Sequence, residues 1–387
     1  MSNKVIHYNI DNIEKEGANI NLIWGEKANG KSYQVKHKMA IGKFEDDTLV
    51  HTSTYKDKTK VIETVLEKGS RFILMRRFRD ELTTQWIESY FTNVNIEEIT
   101  EGEYNTIEVY RREIFYAFYD IETKKQKRGP KIGYAIALSE EQKYAGAVLE
   151  DCSDIIFEEF MSRTYYLHNE SNKLMTFYST VDRKRGTTKL WLVGNTVTRV
   201  CPYVQDWGLT RILFSLKQGE IKSLWIPTGE IDEDGVPVEV KLAIEHCKST
   251  GKSNFVIGTH AKSTNEGEWQ SDPQPHLPKS YKEYKREFYI VFMYKTIKWK
   301  AEFLVDKVTK EYCWFIKPYY GEIKKKIIVF SDIIKPTAYY QRDIYNPSIN
   351  NDRLRKILST FKENMIFYSD DLCGTEFKQS IDFIIRK

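Results

Sequence analysis

The chain has 387 residues, with 59 Lys and Arg against 55 Asp and Glu for a net charge of +4, and is 41% hydrophobic and 14% aromatic. That is the composition of a soluble globular protein with room for two domains, basic enough to permit a nucleic-acid partner without requiring one. Five scattered cysteines without a C-x-x-C pair, and seven histidines without ligand spacing, exclude a disulfide framework and a zinc site. The polar amino end and the lack of a long apolar run predict no signal peptide, no membrane partner and a cytoplasmic location.

The apolar run Ile20-Asn21-Leu22-Ile23-Trp24 reads as a buried strand, and residues 32–39 read as a helix. Between them lies Gly25-Glu26-Lys27-Ala28-Asn29-Gly30-Lys31-Ser32, a complete G-x-x-x-x-G-K-S pattern. Strand, glycine loop and helix in that order make a phosphate-binding loop, in which backbone N–H groups close around phosphate oxygens. Lys31 is expected on the β- and γ-phosphates of ATP and the Ser32 hydroxyl on Mg²⁺.

Phe72-Ile73-Leu74-Met75 predicts a second buried strand, followed by the basic run Arg76-Arg77-Phe78-Arg79 and a helix over 80–90. Residues 106–110 and 114–118 alternate at strand period and predict a hairpin. Further strands are expected over 133–138, 153–157 and 189–195. Lys124, Lys125, Lys127, Arg128 and Lys131 form a basic turn suited to tracking a nucleic-acid backbone.

The strand over 153–157 ends in Glu158-Glu159. Beside a phosphate loop, this pair supplies a metal acid, Glu158, and a base for the attacking water, Glu159. Asp154, at the strand's start, reads as solvated. Asn195 ends a later strand, where it either contacts the γ-phosphate and lytic water or caps a turn. Arg183 and Arg185 are candidates for an arginine finger given to a neighbouring subunit, and Lys27 and Arg79 for a cation acting within one subunit. Ser249-Thr250-Gly251-Lys252-Ser253 repeats Gly-Lys-Ser without the first glycine or a preceding strand, and reads as a basic loop.

Residues 210–275 carry Gly, Pro and acidic turns, and residues 260–280 read as a linker. Strands then dominate (288–294, 298–305, 311–316, 327–330), with a helix over 351–362. The boundaries expected are a nucleotide-binding domain over 1–205, a linker or lid over 206–275 and a mixed α/β domain over 276–387.

The ordered set Gly25–Ser32, Met75-Arg76-Arg77-Phe78-Arg79, Gly133 to Ser139, Ile156-Phe157-Glu158-Glu159-Phe160 and Gly194-Asn195-Thr196-Val197 with Pro202-Tyr203 resembles the DNA-packaging (encapsidation) ATPases of small Bacillus-type podophages. These are compact relatives of terminase large subunits in the additional-strand class of P-loop NTPases. The resemblance implies an α/β fold with a central, mainly parallel sheet and a C-terminal domain like a degenerate RNase H nuclease. It implies a homomeric ring, typically a pentamer, docked on the portal of an empty capsid in the host cytoplasm and driving double-stranded DNA inward with ATP. A packaging RNA is a further candidate partner. It also implies Arg183 as the finger in trans and Arg79 as a basic residue in cis. Asp306 and Asp332 lie on or beside strands without a convincing third carboxylate, so no nuclease activity is expected. A kinase acting on a small substrate and a nucleotide-dependent scaffold remain the alternatives. Neither needs both an acid pair and arginines aimed at a partner.

Overall fold

A computed structural model describes residues 8–40, 51–56, 59–64, 71–162, 165–231, 235–249, 268–269, 271–324, 326–333, 335, 339–341, 351–363 and 365–385. The chain divides into two units, Met1–Asn195 with Leu216–Lys252, and Thr196–Ser215 with Ser253–Lys387.

The first unit carries strands β1 (Ile20–Gly25), β2 (His51–Lys56), β3 (Thr59–Thr64), β4 (Arg71–Arg76), β5 (Thr106–Tyr110), β6 (Glu113–Asp120), β7 (Lys125–Ala137), β8 (Cys152–Glu158), β9 (Lys189–Asn195), β10 (Ile221–Ile231) and β11 (Pro237–His246). Its helices are α1 (Asp11–Glu14), α2 (Lys31–Val35), α3 (Thr84–Phe91), α4 (Ile96–Ile99) and α5 (Glu170–Asp182). Among the described residues, nine strands form one sheet in the order β10-β11-β1-β9-β8-β4-β7-β6-β5. The six from β11 to β7 run parallel, and β10, β6 and β5 add antiparallel edges. Every residue of β1 is buried, as the continuous apolar runs of a parallel sheet covered on both faces require. Ile23, Phe72, Leu74, Ile156, Trp191 and Val193 join Val35 of α2 and Ile87 and Phe91 of α3 in one core. Helix α5 packs against β8.

Three expectations change. The segment 206–275 is not a linker throughout. Residues 216–252 belong to the first unit, where Leu242, Ala243 and Ile244 are buried in β11 beside β1. Of the acidic turn Gly229–Gly235, Gly229–Ile231 lie in β10, which pairs antiparallel with β11, and residues 232–234 lie outside the described residues. The helix expected over 80–90 begins at Thr84, because the Thr83 hydroxyl caps it by accepting from Trp86 N at 3.1 Å. The basic stretch 124–131 is a loop only at its start. From Lys125 onward it is β7, paired antiparallel with β6.

The second unit holds α6 (Pro202–Asp206), α7 (Thr210–Ser215), α8 (Asp352–Ser359) and α9 (Asp371–Ile385), with β12 (Tyr284–Tyr294), β13 (Ile297–Asp306), β14 (Tyr312–Pro318), β15 (Val329–Ser331), β16 (Tyr340–Gln341) and β17 (Ile366–Tyr368). Its sheet order is β16-β15-β12-β13-β14-β17. Strands β12, β13 and β14 form an antiparallel meander, and β15, β16 and β17 add in parallel. One face packs Phe292, Trp299, Trp314 and Ile316 against Leu358, Phe361, Phe377 and Ile384. Residues 196–215 belong here, not before the expected boundary at 205, because Val200 and Phe214 enter this core and Arg199 pairs with Glu376. Asp306 and Asp332 are tied to Lys279 and Lys295.

Candidate nucleotide site

The turn after β1 needs its glycines. A Cβ on Gly25 would lie 2.9 Å from Cys247 Cβ, and Cys247 is held there by donating its N–H to Trp24 O at 2.8 Å. Ala28 and Gly30 then adopt positive φ, 64° and 98°, the left-handed region that favours glycine. The loop is braced from outside: Tyr8 N donates to Asn29 O at 3.0 Å, and the Ser249 hydroxyl donates to Glu26 Oε2 at 2.6 Å. Ser249, the first residue of the stretch that reads as a basic loop, thus touches the phosphate loop. Residues 250–253 of that reading lie outside the described residues.

Lys31 opens α2 and is buried. Its ammonium donates to Glu26 O at 2.5 Å, Asn29 Oδ1 at 3.1 Å and Asn195 Oδ1 at 3.3 Å. Burial draws its pKa down, while the nearby Glu158, Glu159 and Glu26 carboxylates work in the opposite direction. The Asn195 amide also donates to Glu159 Oε1 at 3.1 Å, so one side chain joins the loop lysine to a carboxylate at the end of the neighbouring strand.

Glu158 is the last residue of β8. Its Oε2 accepts from the Ser32 hydroxyl at 3.0 Å, and its Oε1 from the Tyr90 hydroxyl at 2.5 Å. Burial raises its pKa, and the Tyr90 bond partly offsets that. Glu159 follows with φ 57°, a conformation that costs a non-glycine residue about 1–2 kcal/mol. Such strain persists only where surrounding contacts impose it.

The donor set fits magnesium and a phosphate chain. A hydroxyl and a carboxylate already in contact supply hard oxygens, and Mg²⁺ characteristically takes one or two protein oxygens and completes its shell with phosphate and water. Among the described residues no group of three or more His, Cys, Asp or Glu is placed to hold a metal by itself.

The remaining candidates scatter. Lys27 is exposed in the loop. Arg79 lies in the turn after β4, its side chain 64% exposed and 3.9 Å from Glu140. Arg183 and Arg185 lie at the amino ends of β8 and β9, the opposite edge of the sheet from Glu158 and Asn195. A seven-residue strand spans about 20 Å, so neither reaches the phosphate loop of its own chain. Arg183 pairs with Glu150 at 2.5 Å and donates to Ala147 O at 2.8 Å, with its side chain 39% exposed. Arg185 does not fit the finger reading. Its guanidinium donates to the carbonyls of Val181, Asp182, Glu150 and Cys152 and so closes the turn. Asp154 is not solvated: it is buried, accepting from Trp191 Nε1 at 2.7 Å and Ser153 Oγ at 2.5 Å. In the basic set, Arg128 pairs with Glu108 and Lys131 with Glu113, whereas Lys124, Lys125 and Lys127 are exposed at and just before the start of β7.

Sequence reasoning did not single out Tyr90, nor Lys36, which donates to Tyr90 O and sits 4.5 Å over its ring. Burial pulls the Lys36 ammonium down to about 8.

Comparison with known proteins places these features in context. The sequence model of the family described as Podovirus DNA encapsidation protein (Gp16) matches residues 47–387, beginning after the Gly25–Ser32 loop. No curated protein matches the chain. Three solved structures are similar. "The bacteriophage Phi-29 viral genome packaging motor assembly" is 17% identical, with a TM-score of 0.49 over 98% of this chain and 99% of that one. "The Phi-28 gp11 DNA packaging Motor" is 13% identical, with a TM-score of 0.46 over 100% and 99%. The N-terminal domain of the DNA packaging ATPase from bacteriophage phi29 is 21% identical, with a TM-score of 0.40 over 62% and 95%.

Proposed function

The chain belongs to the podovirus DNA encapsidation protein (Gp16) family, which packages viral DNA, and on that premise we propose that it is an ATP-hydrolysing translocase of the additional-strand P-loop class. The observation that carries the reading is the unbroken side-chain path Lys31–Asn195–Glu159, beside Ser32–Glu158, at the carboxyl ends of β1, β9 and β8. The sheet order supports the class, because β9 lies between the loop strand β1 and the acidic strand β8.

In this reading Lys31 binds the β- and γ-phosphates, and Ser32 and Glu158 hold Mg²⁺. The ion, when bound, neutralises charge on the phosphate oxygens. Glu159 takes the proton of the attacking water, worth about 10²–10⁴-fold in rate. Lys31 trades its bond to Asn195 Oδ1 for the γ-phosphate, and Asn195, whose amide N–H holds Glu159, so makes Glu159 sensitive to what fills the loop. Arg183, too far from its own loop, serves a neighbouring subunit's, and Arg79 is the exposed cation within the subunit. That division requires a ring of identical subunits, which we read as a pentamer on the capsid portal, with duplex DNA at its centre and a packaging RNA as an adaptor. Lys124, Lys125 and Lys127 are the basic-turn residues left exposed to phosphate backbone.

The second unit is read as an RNase H-like domain without nuclease activity. An antiparallel meander flanked by the parallel strands β15 and β16 supports the fold. The commitment of Asp306 and Asp332 to lysine partners supports the missing chemistry, since two-metal cleavage needs several converging carboxylates.

The test is phosphate release by the full chain with and without duplex DNA and empty capsids. Stimulation by both is expected. Glu159→Gln is expected to bind Mg·ATP and lose at least about 10²-fold in turnover. Unaltered turnover in that variant overturns the base assignment, and phosphate transfer to a small acceptor in place of water favours the kinase reading.

A further inference from the structure

Parallel pairing of β4 with β8 sets Met75 beside Phe157, so two residues further on Arg77 lies beside Glu159. Arg77 is 5% exposed. Its Nε donates to both Glu170 oxygens, at 2.9 and 2.8 Å, and the other two nitrogens donate to Glu159 O at 3.3 Å and Phe160 O at 2.7 Å. The guanidinium lies 5.6 Å from the Phe157 ring and 4.7 Å from that of Tyr166. Glu170, in the first turn of α5, also accepts from Leu167 N at 2.6 Å. From the other side Phe160 N donates to Val193 O at 3.3 Å, and the Phe160 ring fills the space over Gly194, where a Cβ would come within 3.0 Å of it. The turn that gives Glu159 its left-handed φ is thus clamped between Arg77 and β9.

We propose that Arg77 and Glu170 are a positioning pair, which locks the Glu159 backbone in the left-handed turn that points its carboxylate at Asn195 and the water site. The pair touches no substrate and acts through Glu159, so the inference rests on the reading of Glu159 as the base. An ion pair meant only to join β4 to α5 needs the Arg77–Glu170 contact alone. Here a planar fork spends two further donors on the two carbonyls of the turn. Lysine, a point charge, cannot meet a carboxylate and two carbonyls at once.

Full-length Arg77→Lys is the first test. The expected result is a fall in kcat of about 10–100-fold, the loss seen when a supporting partner of a functional residue is removed, with KM for ATP and Mg·ATP binding within about twofold of wild type. The double variant Arg77→Gln/Glu170→Gln removes both charges together, so no buried charge is stranded. It is expected to melt cooperatively near wild type yet show the same loss of kcat. Wild-type kcat in either folded variant overturns the proposal, as does a loss of ATP binding that parallels the loss of kcat. Glu159→Gln, measured alongside, keeps the two readings apart. If it is inactive while Arg77→Lys is fully active, the positioning pair alone fails; if it is active, the base assignment fails.

Discussion

At the carboxyl ends of β1, β8 and β9 the polar side chains bond largely to one another: Lys31 to Asn195, Asn195 to Glu159, and Ser32 and Tyr90 to Glu158. At the amino ends of β8 and β9 they bond to main chain. Arg185 takes four carbonyls, and Asp182 accepts from the N–H groups of Gly186 and Thr188 at 2.9 and 3.0 Å. Side chains that satisfy each other can exchange partners when phosphate arrives, at the cost of one modest hydrogen bond each. Side chains that satisfy the backbone cannot leave without opening a turn. The groups that meet one another at the carboxyl edge are therefore built to change state, while the amino edge, and Arg77 on the carbonyls of Glu159 and Phe160, hold shape. Arg183 is intermediate, held by one carboxylate and one carbonyl on the holding edge.

The comparison breaks first at Arg183. If it is presented on a rigid turn to a neighbour, Arg183→Ala loses about 10³-fold in phosphate release, the scale of an arginine finger, with melting unaltered. Mixing Arg183→Ala with Lys31→Ala subunits should then restore activity, since some interfaces pair an intact loop with an intact arginine. Absence of rescue at every ratio removes the shared site. Arg185→Ala should behave in the opposite way. It strands buried carbonyls, so a stability loss of about 3 kcal/mol is expected in denaturant titration, with turnover falling only as far as Arg183 loses its support. A stable, inactive Arg185→Ala would reverse the roles of the two arginines.

The sequence showed the carboxyl edge better than the amino edge for a physical reason. Gly25–Ser32 and Glu158-Glu159 are local patterns on strand ends, and strand ends are where apolar runs stop. Tyr90 meets Glu158 across 68 residues and Arg77 meets Glu170 across 93. Both contacts join a helix to a strand end across the fold, Tyr90 from α3 and Glu170 from α5, which no local spacing encodes. Helix α5 was missed because Ser, Asn and Thr dilute its sequence, and only Leu174, Phe177, Tyr178 and Val181 keep the i, i+3, i+4, i+7 stripe. Strand β10 lies within a segment of linker composition because it is at the sheet's edge with mostly exposed residues, and so lacks the apolar run that marks a buried strand.

A third measurement asks whether the carboxyl edge carries a stability penalty for its ionisable groups. Glu245, next to the last residue of β11, accepts from the Tyr8 hydroxyl at 2.8 Å, and burial pushes its pKa up to about 7. A native state that holds the proton more tightly than the unfolded chain is most favoured below the carboxylate's ordinary pKa and loses that advantage as pH rises through 7. Stability should therefore fall by about 2 kcal/mol between pH 5 and 7 on account of this residue. Glu245→Gln keeps an acceptor for Tyr8 and should remove that slope. An unaltered slope would assign the pH dependence elsewhere.

The smallest effect sharpens the comparison most, because it separates holding a carboxylate from using it. Tyr90 reaches Glu158 from α3, and its hydroxyl takes one oxygen while Ser32 takes the other. In Tyr90→Phe the ring keeps its place against Trp86 and Phe91, 5.4 and 5.0 Å between centroids, so the core should not change. What is lost is one of the two bonds that aim the carboxylate. Supporting bonds to a metal carboxylate are worth about tenfold or more in metal affinity. The Mg²⁺ concentration giving half-maximal nucleotide binding should therefore rise about tenfold, with the maximal turnover at saturating Mg²⁺ close to wild type. If turnover falls and the Mg²⁺ requirement does not move, Glu158 is not the metal acid, and the two carboxylates at the end of β8 have exchanged roles.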